Sequence, residues 1–380
     1  MKRIICFLLI AAILSSTAYA IEPLHDGDMD ILAPSAILME KETGEILYEK
    51  NAHERIFPAS VTKVMTMLLI IEDIEAGKLN LDDTVTASER AASFGGSCVY
   101  LEQGEQMSVH EMLKCIAVVS ANDCAVAMAE HISGSEELFV RRMNERASEL
   151  GLENTHFTCC TGLFDDGEHY TSAYDVAVMS RELIRHELIK DYTTIWMDTI
   201  RNGEFGLSNT NKLVYWYPGC TGLKTGYTST AMYCLSATAE REGVEYIAVI
   251  MHGSSIESRN ADAKKLLNYG FAAYTLCPLD AQGDLPEVPV ILGRESLVSA
   301  SISGGRYALV PNDGRQTSYS LSLCDSVEAP VHAGDKLGTL TVLRGDESVA
   351  VLDVVAASDV ERIGFFGALG KMFLALTGIA

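Results

Sequence analysis

The chain has 380 residues, which suits two or three domains better than one, and its apolar fraction of 48% is enough for a sizeable core. Its formal net charge is −23. A body this acidic has no basic footprint for phosphates, which argues against nucleic acid as a partner.

Residues 1–20 have the pattern of a secretory signal peptide. Lys2 and Arg3 give the basic start, Ile4 to Leu14 the apolar stretch, and Ala18-Tyr19-Ala20 a small-x-small cleavage site. The apolar run is short for a membrane span. Cleavage removes two bases and no acid, so the net charge of −23 becomes −25, as suits a soluble extracytoplasmic body. Cys6 leaves with the leader, and nine of the ten cysteines remain. An odd number cannot pair completely in a secreted chain. No two are spaced Cys-x-x-Cys, and the histidines form no ligand pair, so neither a metal nor any other cofactor is expected. Cys115 and Cys234 sit in apolar settings and read as small core residues.

Two strands are expected at Ser35 to Glu40 and Glu45 to Glu49, around a Lys41-Glu42-Thr43-Gly44 turn. Pro58-Ala59-Ser60-Val61-Thr62-Lys63 follows. The apolar run from Val64 to Ile71 then has no Gly or Pro until Gly77, which predicts a buried helix beginning near Ser60. Ser60 and Lys63 are three apart and therefore neighbours at the helix start. A lysine held against apolar surface loses hydration and its pKa falls. That makes Ser60 a candidate nucleophile and Lys63 its candidate base. The bland alternative is an N-cap serine beside a surface lysine.

Residues 80–110 mix turns with short extended pieces, and Gly95-Gly96-Ser97 is either a loop beside a site or a plain turn. Val109 to Ile132 is helical, interrupted by Ser120-Ala121-Asn122-Asp123. Helices follow at 134–150 and 172–190, with Cys159-Cys160-Thr161-Gly162-Leu163 between them. Strands return after about residue 205, through Gly222-Leu223-Lys224-Thr225-Gly226-Tyr227, Met232 to Ala239 and Val244 to Met251. A helix occupies 256–274. Strands at both ends of a helical block can join one sheet. Pro278, Pro286 and Pro289 mark a linker. Short alternating strands up to about Val355 predict a small β domain of sandwich type.

Ser60-x-x-Lys63, Ser120-x-Asn122 and Lys224-Thr225-Gly226 are each common alone, but their occurrence in this order in one secreted chain is specific. Ser120 can relay a proton between Lys63 and a leaving amine. Asn122 can bond a substrate amide. Lys224 and Thr225, on a strand edge, can hold a carboxylate while an extended peptide lies alongside. Gly226 leaves room for a close backbone approach. The backbone N–H groups of Ser60 and Tyr227 would form an oxyanion hole. Arg259 follows the last strand and either helps hold the carboxylate or is a surface arginine. His169 and Asp175 read as structural.

On these residues, with Gly95-Gly96-Ser97, Met143-Asn144, Thr155-His156-Phe157 and His169-Tyr170, the chain resembles the low-molecular-mass penicillin-binding proteins that act as serine-type D-alanyl-D-alanine carboxypeptidases. The resemblance covers about residues 30–275 well and the rest more loosely. It implies an α/β (α+β) fold of the serine β-lactamase and penicillin-binding-protein type, with an antiparallel sheet, a helical block and a small C-terminal β domain. The domain limits are then 1–20, 30–275, 276–358 and 359–380. It implies removal of the terminal D-alanine from peptidoglycan stem peptides through an acyl-serine, with penicillins as covalent inhibitors. Cys159, Thr221 and Met232 depart from the residues the family often carries there. A serine β-lactamase is the first rival, but the Glu-x-x-Leu-Asn stretch of class A enzymes is absent. The second is a non-hydrolysing penicillin or cell-wall sensor.

In the tail, Ile363, Phe366, Leu369, Phe373 and Leu376 recur at helical spacing. They predict an interfacial helix on the membrane surface, and the alternative is a tail packed on its own β domain.

Overall fold

The computed structural model describes residues 21–164, 167–279, 285–303 and 305–370. The expected leader at 1–20 and the last ten residues of the tail lie outside them. The chain divides into two compact units, one of residues 21–275 and one beginning at 276.

The first unit opens on β1 (Ser35–Glu40) and β2 (Ile46–Lys50), an antiparallel hairpin. A 3-10 turn, Ala59–Thr62, runs straight into helix α1 (Lys63–Glu75). Residues 63–71 of α1 are buried without a break. A helix that is apolar all round has no solvent face and takes the middle of a core. Next come β3 (Thr84–Thr86), α2 (Glu89–Ala92) and β4 (Gln106–Ser108), with β3 paired to β4. The short α2 was not expected there. It forms because the Ser88 side chain accepts the Ala91 N–H and caps it.

The helical block continues with α3 (Val109–Val119), α4 (Asn122–Ser133), α5 (Glu136–Glu149) and α6 (Ala173–Arg185). The helix expected over 172–190 ends early, at an extended His186 whose imidazole meets Glu75 at 2.8 Å. A short α7 (Lys190–Thr193) follows. A hairpin of β5 (Met197–Ile200) and β6 (Phe205–Ser208), then α8 (Leu213–Trp216), follow; β6 lies where strands were expected to return, whereas β5 and α8 were not expected.

Strands β7 (Cys220–Thr228), β8 (Met232–Arg241) and β9 (Val244–Gly253) and helix α9 (Ile256–Ala273) close the unit. The strands join β1 and β2 in one sheet, ordered β2-β1-β9-β8-β7 and antiparallel throughout. Alternation sorts its two faces. Ile37, Met39, Ile247, Val249 and Met251 join the core of α1 and the other helices. Tyr246, one residue out of phase, meets Phe271 of α9 with ring centroids 5.0 Å apart. β7 is an edge, with backbone groups open to an added strand.

The second unit is built of strands. Lys336–Arg344 lies between Glu347–Ala356 and Thr317–Leu323, and Ala300–Ile302 completes that four-stranded sheet. Val288–Ile291 lies between Leu297–Val298 and Val327–Glu328, the latter parallel to it. Val310, Val342 and Val354 centre one small core, and Val288, Val331 and Val360 another. The expected linker prolines are partly strand residues: Pro278 ends Tyr274–Pro278 and Pro289 lies inside Val288–Ile291. Residues 365–370 are helical, with Phe365 77% and Phe366 86% exposed.

Candidate active site

The nucleophile corner is tightly constrained. Ala59 has φ 47, a left-handed conformation rare for a residue with a Cβ. Such backbone persists where the surroundings over-determine it. Here the Thr62 hydroxyl donates to the Ala59 carbonyl at 2.8 Å and lies 2.8 Å from His169 Nε2. Thr158 N–H donates to His169 Nδ1 at 3.0 Å, so Nε2 carries the ring proton and donates to Thr62. His169 therefore supports the turn, in line with its structural reading. Gly162 completes the corner from the other side. A Cβ there would lie 1.8 Å from the Ala59 carbonyl oxygen.

Ser60 is half-buried at the end of this turn, and Lys63 behind it is fully buried. Lys63 Nζ lies 3.1 Å from Ser60 Oγ, 2.6 Å from Asn122 Oδ1 and 2.8 Å from the Thr161 carbonyl. Burial lowers its pKa to about 8. The three partners define what the neutral amine does. Asn122 Oδ1 and the Thr161 carbonyl are acceptors only, so they take its two N–H groups. The lone pair is left facing Ser60 Oγ, and the bond to Ser60 reverses direction, with the hydroxyl donating. The sequence pattern contained Asn122 but gave no sign of Thr161, which enters through a backbone carbonyl that any residue could supply.

Asn122 is in turn fixed from the 95–97 loop. Its Nδ2 donates to the Gly95 carbonyl at 2.8 Å, and its backbone N–H donates to the Ser97 carbonyl at 2.7 Å. Gly96, at φ +78, leaves only 2.9 Å between an added Cβ and Asn122 Nδ2. The Gly95-Gly96-Ser97 stretch is therefore part of the site and not a plain turn. Ser120 caps α3 at φ 64, and among the described residues its buried Oγ has no hydrogen-bond partner. It does not bond Lys63, so the proton relay expected of it is not assembled in this state. A buried hydroxyl without a partner costs roughly 1–3 kcal/mol, which a ligand can recover.

The third motif runs past Ser60 on the edge strand. A Cβ on Gly226 would sit 3.0 Å from Ser60 N and from the Pro58 carbonyl oxygen, so this glycine permits the approach. Thr225 Oγ1 donates to Thr210 Oγ1 at 2.8 Å. Asn211 Nδ2 donates to the Gly222 carbonyl at 2.8 Å, and Thr193 Oγ1 donates to that of Thr221 at 2.6 Å. Thr193, Thr210 and Asn211 thus position the motif strand. They lie in segments too short and irregular for periodicity to reveal. Tyr227 is 55% exposed and stacks on Tyr233 with centroids 4.5 Å apart.

Lys224 is buried, and its Nζ donates to the Thr225 carbonyl at 2.9 Å. Burial, with the positive charges of Lys63 and Arg259, holds its pKa well below the ordinary lysine value. Arg259 is 3% exposed, which excludes the surface-arginine alternative. It donates to the Cys234 carbonyl at 3.2 Å, and burial pushes its pKa down to about 10. Among the described residues no carboxylate forms an ion pair with any of the three cations.

Cys159 is not an inert core residue. Its Sγ accepts the Gly162 N–H at 3.2 Å within the turn that presents the Thr161 carbonyl. Burial opposes its ionisation, and the N–H groups of Thr161 and Gly162 act against that burial. Elsewhere among the described residues, Glu72, Glu182 and His186 have the spacing of a metal group, but the Arg146 guanidinium already bridges both carboxylates at 2.8 and 3.0 Å.

A family model described as D-alanyl-D-alanine carboxypeptidase matches residues 21–255. One described as the penicillin-binding protein 5 C-terminal domain matches residues 276–362. The chain is 42% identical to the D-alanyl-D-alanine carboxypeptidase DacF of Bacillus subtilis, over 96% of each chain. It is 31% identical to DacA of Escherichia coli, over 97% of this chain and 94% of that one. The structure matches that of penicillin binding protein 5 from Haemophilus influenzae with a TM-score of 0.79 and 30% identity, covering 88% of this chain and 99% of the other.

Proposed function

The chain belongs to the D-alanyl-D-alanine carboxypeptidase family, and on that premise we propose how its residues carry out the reaction. The protein is a serine-type D-Ala-D-Ala carboxypeptidase acting on peptidoglycan, of the low-molecular-mass penicillin-binding type. Ser60 attacks the carbonyl between the two D-alanines, and neutral Lys63 takes its proton. The observation that carries this assignment is the Lys63 amine, whose two N–H groups are held by Asn122 and Thr161 so that its lone pair faces Ser60 Oγ at 3.1 Å. The tetrahedral oxyanion is received by the Ser60 and Tyr227 N–H groups. Lys224, Thr225 and Arg259 hold the terminal carboxylate while the stem lies along the β7 edge. Ser120 Oγ, buried and without a hydrogen-bond partner among the described residues, passes a proton to the departing D-alanine nitrogen. Water then hydrolyses the acyl-serine. A β-lactam acylates Ser60 in the same way.

The test is one incubation with a peptide ending in D-Ala-D-Ala and another with benzylpenicillin. We expect released D-alanine and a stable adduct on the peptide that contains Ser60, both lost in Ser60→Ala. Rapid hydrolysis of the β-lactam without D-alanine release would support a β-lactamase instead. An adduct without turnover of either compound would support a sensor.

The extracytoplasmic location is supported by the basic, apolar and small-x-small pattern of residues 1–20. Attachment to the outer face of the cytoplasmic membrane is supported by the exposed Phe365, Phe366 and Leu369 on the helical start of the tail. The attachment we propose is interfacial, on the helical spacing of Ile363, Phe366 and Leu369; among the described residues no helix is long and apolar enough to cross a membrane. By the same reading residues 1–20 are removed, 30–275 carry the chemistry, 276–358 form the β domain and 359–380 the membrane-associating tail.

A further inference from the structure

We propose that Arg201, at the tip of the β5–β6 hairpin, is a positioning residue for the reaction: it clamps the 95–105 loop and thereby fixes Asn122 against Lys63. The proposal rests on the assignment of Asn122 and Lys63 to the acyl-transfer machinery.

The loop is gripped from two sides. From within, the Asp123 carboxylate, one residue after Asn122, accepts the N–H groups of Val99 and Leu101, each at 3.1 Å. From outside, Arg201 donates through Nη1 to the Val99 carbonyl at 2.9 Å and through Nη2 to that of Tyr100 at 3.4 Å. Its Nε and Nη2 grip Glu105 at 2.7 and 3.0 Å, a two-pronged contact that only a guanidinium makes. Its carbon atom also lies 5.3 Å over the Phe205 ring. Glu105 ties down the far end of the loop, since its carbonyl accepts the Ala87 N–H at 2.8 Å.

Backbone conformation marks the same junction. Tyr100 (φ 59), Arg201 (φ 53) and Asn202 (φ 56) all occupy the left-handed region without being glycine. Such backbone persists only where its surroundings impose it. Arg201 imposes it through one bond path. It holds the Val99 and Tyr100 carbonyls, the loop carries the Gly95 and Ser97 carbonyls a few residues away, and those two hold Asn122. Asn122 Oδ1 is one of the two acceptors that aim the Lys63 lone pair. If Asn122 swings away, the amine rotates and Ser60 loses its base.

The test compares wild type with Arg201→Ala, Arg201→Lys and Glu105→Gln. It reads the rate of acylation by benzylpenicillin, amide hydrogen exchange over 95–105 and at Asn122, and the thermal midpoint. Arg201→Ala should speed exchange in the loop and slow acylation roughly 10- to 100-fold, the size of effect an ångström of misplacement produces. The adduct should still reach completion on Ser60. Arg201→Lys, which keeps the charge and loses the fork, should fall between. Faster loop exchange with wild-type acylation would make Arg201 merely structural and overturn the proposal, as would unchanged exchange. If Arg201→Ala does not fold, Glu105→Gln decides by the same two readouts. Failure of the underlying assignment looks different: wild type itself would give no Ser60 adduct.

Discussion

Gly162→Ala tests the geometry of the base most directly. The added Cβ would lie 1.8 Å from the Ala59 carbonyl oxygen and 2.5 Å from Thr62 Oγ1, and the residue sits at φ +73. The turn must withdraw by about 1.5 Å to restore an ordinary contact. That stretches the 2.8 Å bond from Lys63 Nζ to the Thr161 carbonyl beyond hydrogen-bond range. A left-handed alanine costs about 1–2 kcal/mol. The lost bond to a charged or strongly polarised amine adds about 1.5–3 kcal/mol. Without Thr161, one N–H of Lys63 is free and its lone pair is no longer aimed at Ser60. We expect acylation by benzylpenicillin to fall about 100-fold, with a lowered but measurable thermal midpoint. Gly151→Ala is the control: it also carries a positive φ, +71, but has nothing within 4 Å of the added Cβ. It should cost about 1 kcal/mol of stability and leave acylation unchanged. Equal acylation rates in the two variants would refute the role given to the Thr161 carbonyl.

The two lysines should separate on substitution by arginine. Lys63→Arg should abolish acylation, because a guanidinium stays protonated and cannot act as the base. Lys224→Arg should keep part of the D-alanine release, because the charge survives, and equal loss in both variants would contradict the division of roles. The pH profile follows from Lys63, whose pKa is lowered to about 8 by burial. Its neutral form is the base, so the acylation rate should rise with pH through about 8 and level above it; a profile flat from about pH 6 to 10 would remove Lys63 from that role. A chain ending at Glu361 should release D-alanine like the mature protein but no longer float with liposomes. Two soluble proteins, or an unfolded truncation, would make the tail a packing element.

The parts of the fold that were legible in the sequence are those with long periodic signals. The unbroken run from Val64 to Ile71 predicted α1, and the strands expected through Lys224, Met232 to Ala239 and Val244 to Met251 are three neighbours in the sheet. Strand β5 was missed because a four-residue strand with mixed burial carries no readable period. In the site, motif residues were legible because the signal lies in side-chain identity and spacing. Thr161 and the Gly95 and Ser97 carbonyls were not, because a main-chain acceptor leaves no trace in residue identity. Gly162 left a partial trace, since a glycine is required where its Cβ would strike Ala59. Cys159 stood out only as a departure from the residue often found there, and the bond it accepts within the turn was not legible, because its donor is a main-chain N–H. Arg201 was invisible because its partners at 99, 100 and 105 are a hundred residues away.

The same physical force depresses both lysines, and their surroundings turn it to opposite uses. Burial removes water from Lys63 and from Lys224 alike and disfavours the charge on each. Around Lys63 stand two fixed carbonyl acceptors and a hydroxyl, a set that a neutral amine satisfies completely. Lys224 has one carbonyl, at Thr225, and the positive Lys63 and Arg259 as electrostatic neighbours. A cation there lacks a counter-charge until an anion arrives. On the proposed assignment the terminal carboxylate of the substrate supplies that charge, and Arg259, pushed down to about 10 by burial, is the second cation that meets it. On that assignment a bound carboxylate favours the charged form of Lys224. The anion's own negative charge offsets the charge that Lys224 keeps, so the neutral form of Lys63 rests on burial and on its three fixed partners and not on the ligand. Substrate recognition and base activation are then two separate consequences of burial at one corner, where among the described residues no carboxylate pairs with Lys63, Lys224 or Arg259.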